Sequence, residues 1–236
     1  MTLMTKAVGF CEKGYRSYQE DALYPDLEKA DPSEKVWVVC DGVGGHPCGD
    51  KASQLISQEA AGFLQKGLDP KVLNHYLGKT VEQYVTQIQA CRSMATTLTF
   101  LLCQENGVLA GWCGDSRIYH FRQGNILFKS HDHSLVQELV EEGSLTEEEA
   151  RHDMRSNIIT RAIGLQQSQI AFHHEYDVIK NDYFLLCTDG VIEAVDDSAL
   201  SQIFTDDDVH AIRNTLLKEC REHSSDNYTA YILQVG

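Results

Sequence analysis

Short apolar runs recur along this chain, and they tend to stop at an acid. Val36-Trp37-Val38-Val39-Cys40 runs into Asp41, the segment 108–113 into Gly114-Asp115, and the segment 183–187 into Thr188-Asp189. Runs of five or six β-branched and aromatic residues bounded by Gly or Asp predict buried strands. The segments 96–103, 117–121 and 228–233 are further strand candidates. Helical periodicity falls elsewhere, over 52–65, 72–90, 135–142, 147–155 and 209–223. Ser134 with Gln137, and Thr146 with Glu149, have the spacing of capping boxes. The two short acidic helices they open are joined by Gly143 and contain few large apolar residues. They read as a surface excursion.

With 236 residues, the chain has room for one substantial domain, and no repeat or Pro-rich linker divides it. A single domain over 1–236 is expected. No apolar run approaches the roughly 20 residues of a membrane helix. The start, MTLMTKAVGF, lacks the basic and apolar regions of a secretory signal. A cytoplasmic protein is expected. Its eight cysteines are dispersed, with no C-x-x-C pair and none followed six positions later by Arg. That spacing argues against a zinc site or a cysteine phosphatase loop and predicts reduced, mostly buried thiols. A net charge of −15 repels nucleic acid and anionic membranes, which excludes both as natural partners.

The acids carry the chemistry. Asp41 is followed by Gly42-Val43-Gly44-Gly45-His46, a strand-end carboxylate with backbone able to approach a ligand closely. A P-loop is a near miss, because Asp50 stands where its Lys belongs and Lys51 comes one place late. Asp189-Gly190 repeats the strand-then-acid pattern, Asp226-Asn227 precedes a strand, and Asp115 lies in Gly114-Asp115-Ser116-Arg117. Arg16 stands four residues before Glu20-Asp21. Hard divalent cations prefer such oxygen ligands. Gathering these carboxylates without cations would be costly through mutual repulsion.

The ordered set RSYQED (16–21), DGVGGH (41–46), MATT (94–97), GDSR (114–117), TRAIG (160–164), TDG (188–190) and DNYT (226–229) resembles the metal-dependent protein phosphatases of type 2C, in their compact bacterial form. The resemblance implies an α+β fold: a four-layer α-β-β-α sandwich of two mainly antiparallel sheets flanked by helices. It implies two Mn²⁺ or Mg²⁺ ions with a possible weaker third. Asp41 would bridge the two ions, and the Gly42 carbonyl would contact one of them. Asp189 and Asp226 would hold one ion, Glu20 would act on the other, and Asp21 would support that shell. Asp115 would join Asp189 at the third ion, and Arg16 would grip the substrate phosphate. Implied too is hydrolysis of phosphoserine and phosphothreonine by a metal-bridged hydroxide attacking in line, without a covalent phosphoenzyme. Phosphorylated proteins, made by a bacterial serine/threonine kinase, are the implied partners, and a monomer is the implied state. The alternative is a catalytically silent module of the same fold that binds phosphoproteins.

Three positions depart from the pattern: Val43 where eukaryotic members often have His, Gln19 for the usual Asn, and Met94-Ala95 for a Gly-Ser type lead-in. Outside the motifs, His46 is expected to bond loop backbone. His131-Asp132-His133 is expected to form the loop into the helix at Ser134, and His173-His174 to lie on an exposed strand or turn. Asp206-Asp207-Asp208 suits the start of a helix. In the family, the stretch matching 134–156 is a flap beside the active site, and a flap is expected here.

Overall fold

Strands buried on both faces explain why the apolar runs are continuous rather than alternating. In β3 (Val36–Asp41), Val36, Val38 and Cys40 enter one core while Trp37 and Val39 enter another. Strand β10 (Tyr228–Val235) does the same, with Ala230 and Ile232 on one side and Tyr231, Leu233 and Val235 on the other. The computed structural model describes residues 3–45 and 48–236.

The other strands are β1 (Met4–Glu12), β2 (Asp21–Tyr24), β4 (Leu98–Gln104), β5 (Gly107–Cys113), β6 (Arg117–Arg122), β7 (Asn125–Lys129), β8 (Ala171–Glu175) and β9 (Tyr183–Cys187). They form two five-stranded sheets, ordered β1-β10-β9-β6-β7 and β2-β3-β4-β5-β8. Every pairing is antiparallel. The helices are α1 (Gly49–Gln65), α2 (Leu73–Gln87), α3 (Leu135–Glu141), α4 (Glu147–His152), α5 (Asp189–Ala194), α6 (Asp197–Ile203) and α7 (Val209–His223). Apolar residues of α1 and α2, among them Ile56, Leu64 and Leu77, pack on the β3 side of the second sheet. Leu200, Ile212 and Leu216 of α6 and α7 cover the outer face of the first. Trp37, Leu101, Phe184 and Tyr231 fill the space between the sheets. The architecture is an α+β sandwich of two antiparallel sheets flanked by helices. No described helix is long and apolar enough to cross a membrane.

Several expectations need correction. The cysteines are not all reduced: Cys48 and Cys91 form a disulfide that ties the start of α1 to the turn preceding Met94, and the other six are free. The strand expected from Thr96 starts at Leu98, because Thr96 instead bridges Gly42 and Ile163. Helix α4 stops at His152, where extended Asp153 accepts hydrogen bonds from Arg155. Thr146 and Glu149 form a full capping box, whereas Ser134 caps α3 without a return bond from Gln137. His46 lies outside the described residues.

Candidate active site

The acids converge because strands deliver their ends to one edge of the sandwich. Asp21 opens β2 and is directly opposite Asp41, the last residue of β3. The end of β3 is fixed by its neighbours: Asp41 N–H donates to Thr97 Oγ1 at 2.9 Å, and its carbonyl accepts from Thr96 Oγ1 at 2.7 Å and Thr97 N–H at 2.8 Å. Thr97 Oγ1 also contacts Ser116 Oγ at 2.7 Å, which joins the MATT segment to GDSR. Gly42 N–H donates to the Glu20 carbonyl, and a Cβ at Gly42 would run into the Gly49 backbone at 2.4 Å. Only glycine allows that approach.

Asp189 begins α5 just past β9, and Thr188 before it donates to Asp21 Oδ2 at 3.0 Å. A side chain at Gly190 would strike the Asn227 carbonyl. Asp115 is buried beside the root of the 134–156 excursion, where Gly114 N–H donates to His133 Nδ1 at 3.1 Å. Asp226 precedes β10 and receives Arg16 Nη2 at 2.6 Å; the Arg16 side chain is 58% exposed. Glu20 is half-buried.

This crowding shows in the ionisation. Burial pushes the Asp21 carboxyl up to about 8, with Asp189 and Asp226 adding to the rise against the Thr229 and Thr188 hydroxyls. Burial and then Asp226 lift Asp189 to about 6. Asp41 is raised well above the ordinary range by burial and by Asp21, Asp189 and Asp115. Burial and Asp189 raise Asp115 likewise. Burial and then Asp50 push Glu20 upward.

Buried carboxylate oxygens Asp21 Oδ1, Asp115 Oδ1 and Asp189 Oδ1 have no hydrogen-bond partner among the described residues. Hard oxygen donors left bare among like charges fit divalent cations. Among the described residues, no three His, Cys, Asp or Glu side chains already converge as the ligands of one ion.

Residues 16–219 match the family model of protein phosphatase 2C, from Arg16 to beyond Asp189. The chain belongs to the protein phosphatase 2C family. With the family comes its class of activity, hydrolysis of phosphoproteins. The chain is 33% identical over 180 residues to the protein phosphatase PhpP of Streptococcus pneumoniae, covering 72% of each. Its fold superposes on the serine/threonine phosphatase Stp1 of Staphylococcus aureus with a TM-score of 0.85, at 25% identity over 100% of this chain and 98% of that one. It superposes equally completely, 99% of each chain, on the catalytic domain of the phosphatase PstP in complex with two manganese ions, with a TM-score of 0.78 and 25% identity.

In this member of the phosphatase 2C family, sequence reasoning passed over Asn227. Its Oδ1 accepts from Glu20 N–H at 2.8 Å, and its Nδ2 donates to the carbonyls of Lys13 (2.8 Å) and Tyr18 (2.9 Å). Asn227 thus staples the loop carrying Arg16 and Glu20 to the strand end carrying Asp226. Only the Asp-Asn pair itself hinted at this, because the partners lie more than 200 residues away. The supporting contacts of Thr188, Thr97 and Ser116, across 19 to 167 residues, also arise only in the folded chain. Elsewhere the side chains take structural roles, as the sequence predicts: Asp132 forms a two-bond pair with Arg117, His133 accepts from backbone, His173 and His174 lie in β8, and Asp208 caps α7. Burial and then Arg161 push the His133 imidazole down to about 4, which keeps its Nδ1 an acceptor.

Proposed function

We propose that this chain removes phosphate from phosphoserine and phosphothreonine in proteins, with two Mn²⁺ or Mg²⁺ ions held at the strand-end acids. The observation that carries the reading is the gathering of Asp21, Asp41, Asp115 and Asp189, with three orphaned carboxylate oxygens, beside Arg16 and Asp226. Asp41 and the Gly42 carbonyl, Asp189, Asp226 and Glu20 would hold the two ions, Asp21 would support that shell, and Asp115 with Asp189 would take a weaker third. Such ions, when bound, supply a nucleophilic water near neutral pH and neutralise phosphoryl charge.

The chain's own residues supply the rest. The planar Arg16 guanidinium, exposed at the mouth, swings from Asp226 to two oxygens of a phosphate monoester, a geometry that a lysine cannot match. Asn227 holds the Arg16 loop, and Thr96 and Thr97 hold the Asp41 backbone, so the groups are positioned before substrate arrives. Val43 has no proton to give the leaving oxygen. The 134–156 excursion returns through the Ser134–Ile159 bridge, and Ile163 just beyond bridges Thr96, which supports its reading as a flap over a single catalytic domain. Substrates are the products of a serine/threonine kinase, which places the reaction where ATP is, in the cytoplasm, and the working unit is a monomer.

The test is hydrolysis of a phosphothreonine peptide with EDTA, with Mn²⁺, with Mg²⁺, and with Mn²⁺ for Asp41→Ala. The expected result is metal-dependent turnover that the variant loses. A folded protein that turns over nothing but still binds the phosphopeptide would be the silent phosphoprotein-binding module instead.

A further inference from the structure

Helix α2 meets the 164–168 loop through Asn74, whose Nδ2 donates to the Ser168 carbonyl and whose Oδ1 accepts from the Ser168 hydroxyl, each at 3.0 Å. Beside that contact lies an open groove of about 490 Å³, lined by Gly78, Lys79, Glu82 and Val85 of α2 and by Arg92 and Leu165, so that two bases face one acid within it. The floor is bare backbone: a Cβ at Gly78 would meet nothing within 4 Å. Val81, Val85, Met94 and Leu165 are the apolar members of a largely polar lining.

The charge here runs against the rest of the molecule. Acids outnumber bases 35 to 20 in the chain, yet the segment 66–92 has four bases, Lys66, Lys71, Lys79 and Arg92, against Asp69 and Glu82. A second basic group, Arg117, Arg122 and Lys129, is consumed by ion pairs with Asp132, Asp182, Asp177 and Asp197. Lys79 and Arg92 pair with no carboxylate among the described residues. The groove is linked to the acid cluster along the chain. Met94 and Gly164 line it, and two residues past Met94 the Thr96 hydroxyl holds the Asp41 carbonyl at 2.7 Å. Two extended residues span at most about 7 Å.

We propose that this groove docks an acidic segment of the phosphoprotein substrate next to the residue being dephosphorylated, with Lys79 and Arg92 as its charge partners. The inference rests on the reading of the chain as a protein phosphatase. Unpaired cations on an otherwise repelling surface favour an anionic segment and raise its rate of encounter.

The experiment compares three substrates: p-nitrophenyl phosphate, which cannot span from the acids to the groove, and two phosphothreonine peptides of equal length flanked by Glu or by Gln. The wild-type protein should show a lower KM for the Glu peptide. The double variant Lys79→Glu with Arg92→Glu should raise that KM about fivefold, leave the Gln peptide and p-nitrophenyl phosphate unchanged, and lose the effect at 0.5 M salt. Gly78→Phe, filling the groove, should raise the KM of the Glu peptide without altering the small substrate. Equal KM values for the two peptides in the wild type, or equal responses of both to the charge reversal, would overturn the docking proposal while leaving the activity in place. Hydrolysis of p-nitrophenyl phosphate with neither peptide accepted would instead sink the protein-phosphatase reading, and the docking proposal with it.

Discussion

Two clusters of ionisable side chains are buried in this sandwich, one at the strand ends around Asp21, Asp41, Asp115 and Asp189, the other between β6 and the start of β9 around His120 and Asp182. The second balances its own charge. Asp182 accepts from Arg122 Nε and Nη2 and from Ile179 N–H, each at 2.9 Å, and meets His120 Nε2 at 2.9 Å. Burial alone would push its carboxyl up, but Arg122, the Ile179 amide and His120 together hold it below the ordinary range. Among the described residues, no lysine or arginine forms an ion pair with Asp21, Asp41, Asp115 or Asp189, and Arg16 lies at the exposed rim against Asp226. Its carboxyls rise instead of falling. A structural cluster brings its counter-charge with it. A cluster that destabilises the fold as it stands is kept for what binds there.

Removing one partner from each cluster should break the comparison most sharply. Asp182→Ala leaves Arg122 and His120 without their shared acceptor, and it should cost about 3 kcal/mol in urea unfolding. Phosphopeptide turnover of the protein that remains folded should be near normal. Asp41→Ala should do the reverse, with turnover abolished and metal-free stability unchanged or raised, because one of several repelling carboxylates is gone. Comparable stability losses in both variants would erase the distinction.

The two clusters should also respond to pH with opposite signs. Asp21 and Asp189 hold protons in the folded state to about 8 and about 6, above their unfolded range. Between pH 4 and 8 the unfolded chain therefore releases protons that the fold retains, so this cluster's contribution to stability falls as pH rises. Asp182 is depressed, so its contribution is present above the unfolded carboxylate pKa and is lost as pH falls through its folded value. Melting of metal-free Asp21→Asn beside the wild type should show the variant gaining most at pH 8 and least at pH 4. Added Mn²⁺ should shift the wild type more at the higher pH. A variant that melts alongside the wild type at every pH would contradict the raised Asp21.

How much of this was legible in the sequence follows from burial. The six strands read from the chain, β3, β4, β5, β6, β9 and β10, are the interior strands of the two sheets, apolar on both faces. The other four, β1, β2, β7 and β8, of which only the His173-His174 step of β8 was expected on a strand or turn, are the four edges. Edge strands carry half-exposed and exposed positions, as in β7 with its half-exposed Ile126 and exposed Leu127, and no continuous apolar run announces them. Helix α5 was hidden by its brevity and by starting at Asp189 itself. Asp41, Asp115 and Asp189 were legible because each ends or follows an apolar run, Asp21 because it closes the motif RSYQED and Asp226 because it opens DNYT. Their supports were not, since the pairing of Cys48 with Cys91 and of Asn227 with Lys13 are facts of tertiary structure.

Asn227 gives the smallest effect and the finest distinction, because it adds no charge to the cluster and serves only to place charges. Its amide makes two donations and one acceptance that hold residues 13–20 against β10. Replacing it by Ala leaves two carbonyls and one amide of that loop to find water, a loss of about 1–2 kcal/mol in holding Arg16 and Glu20 in place. Arg16 should suffer first, since it sits at the exposed end of the loop and reaches farther. The KM for a phosphopeptide should therefore rise roughly tenfold while kcat changes less. Asn227→Asp keeps the acceptor for Glu20 N–H but loses both donations, and it adds a carboxylate beside Asp226. It should raise KM as much as Ala does and also shift the Mn²⁺ dependence of turnover, which Ala should leave near that of the wild type. A fall in kcat with KM unchanged in both variants would mean that Asn227 acts on the acids and not on the arginine loop.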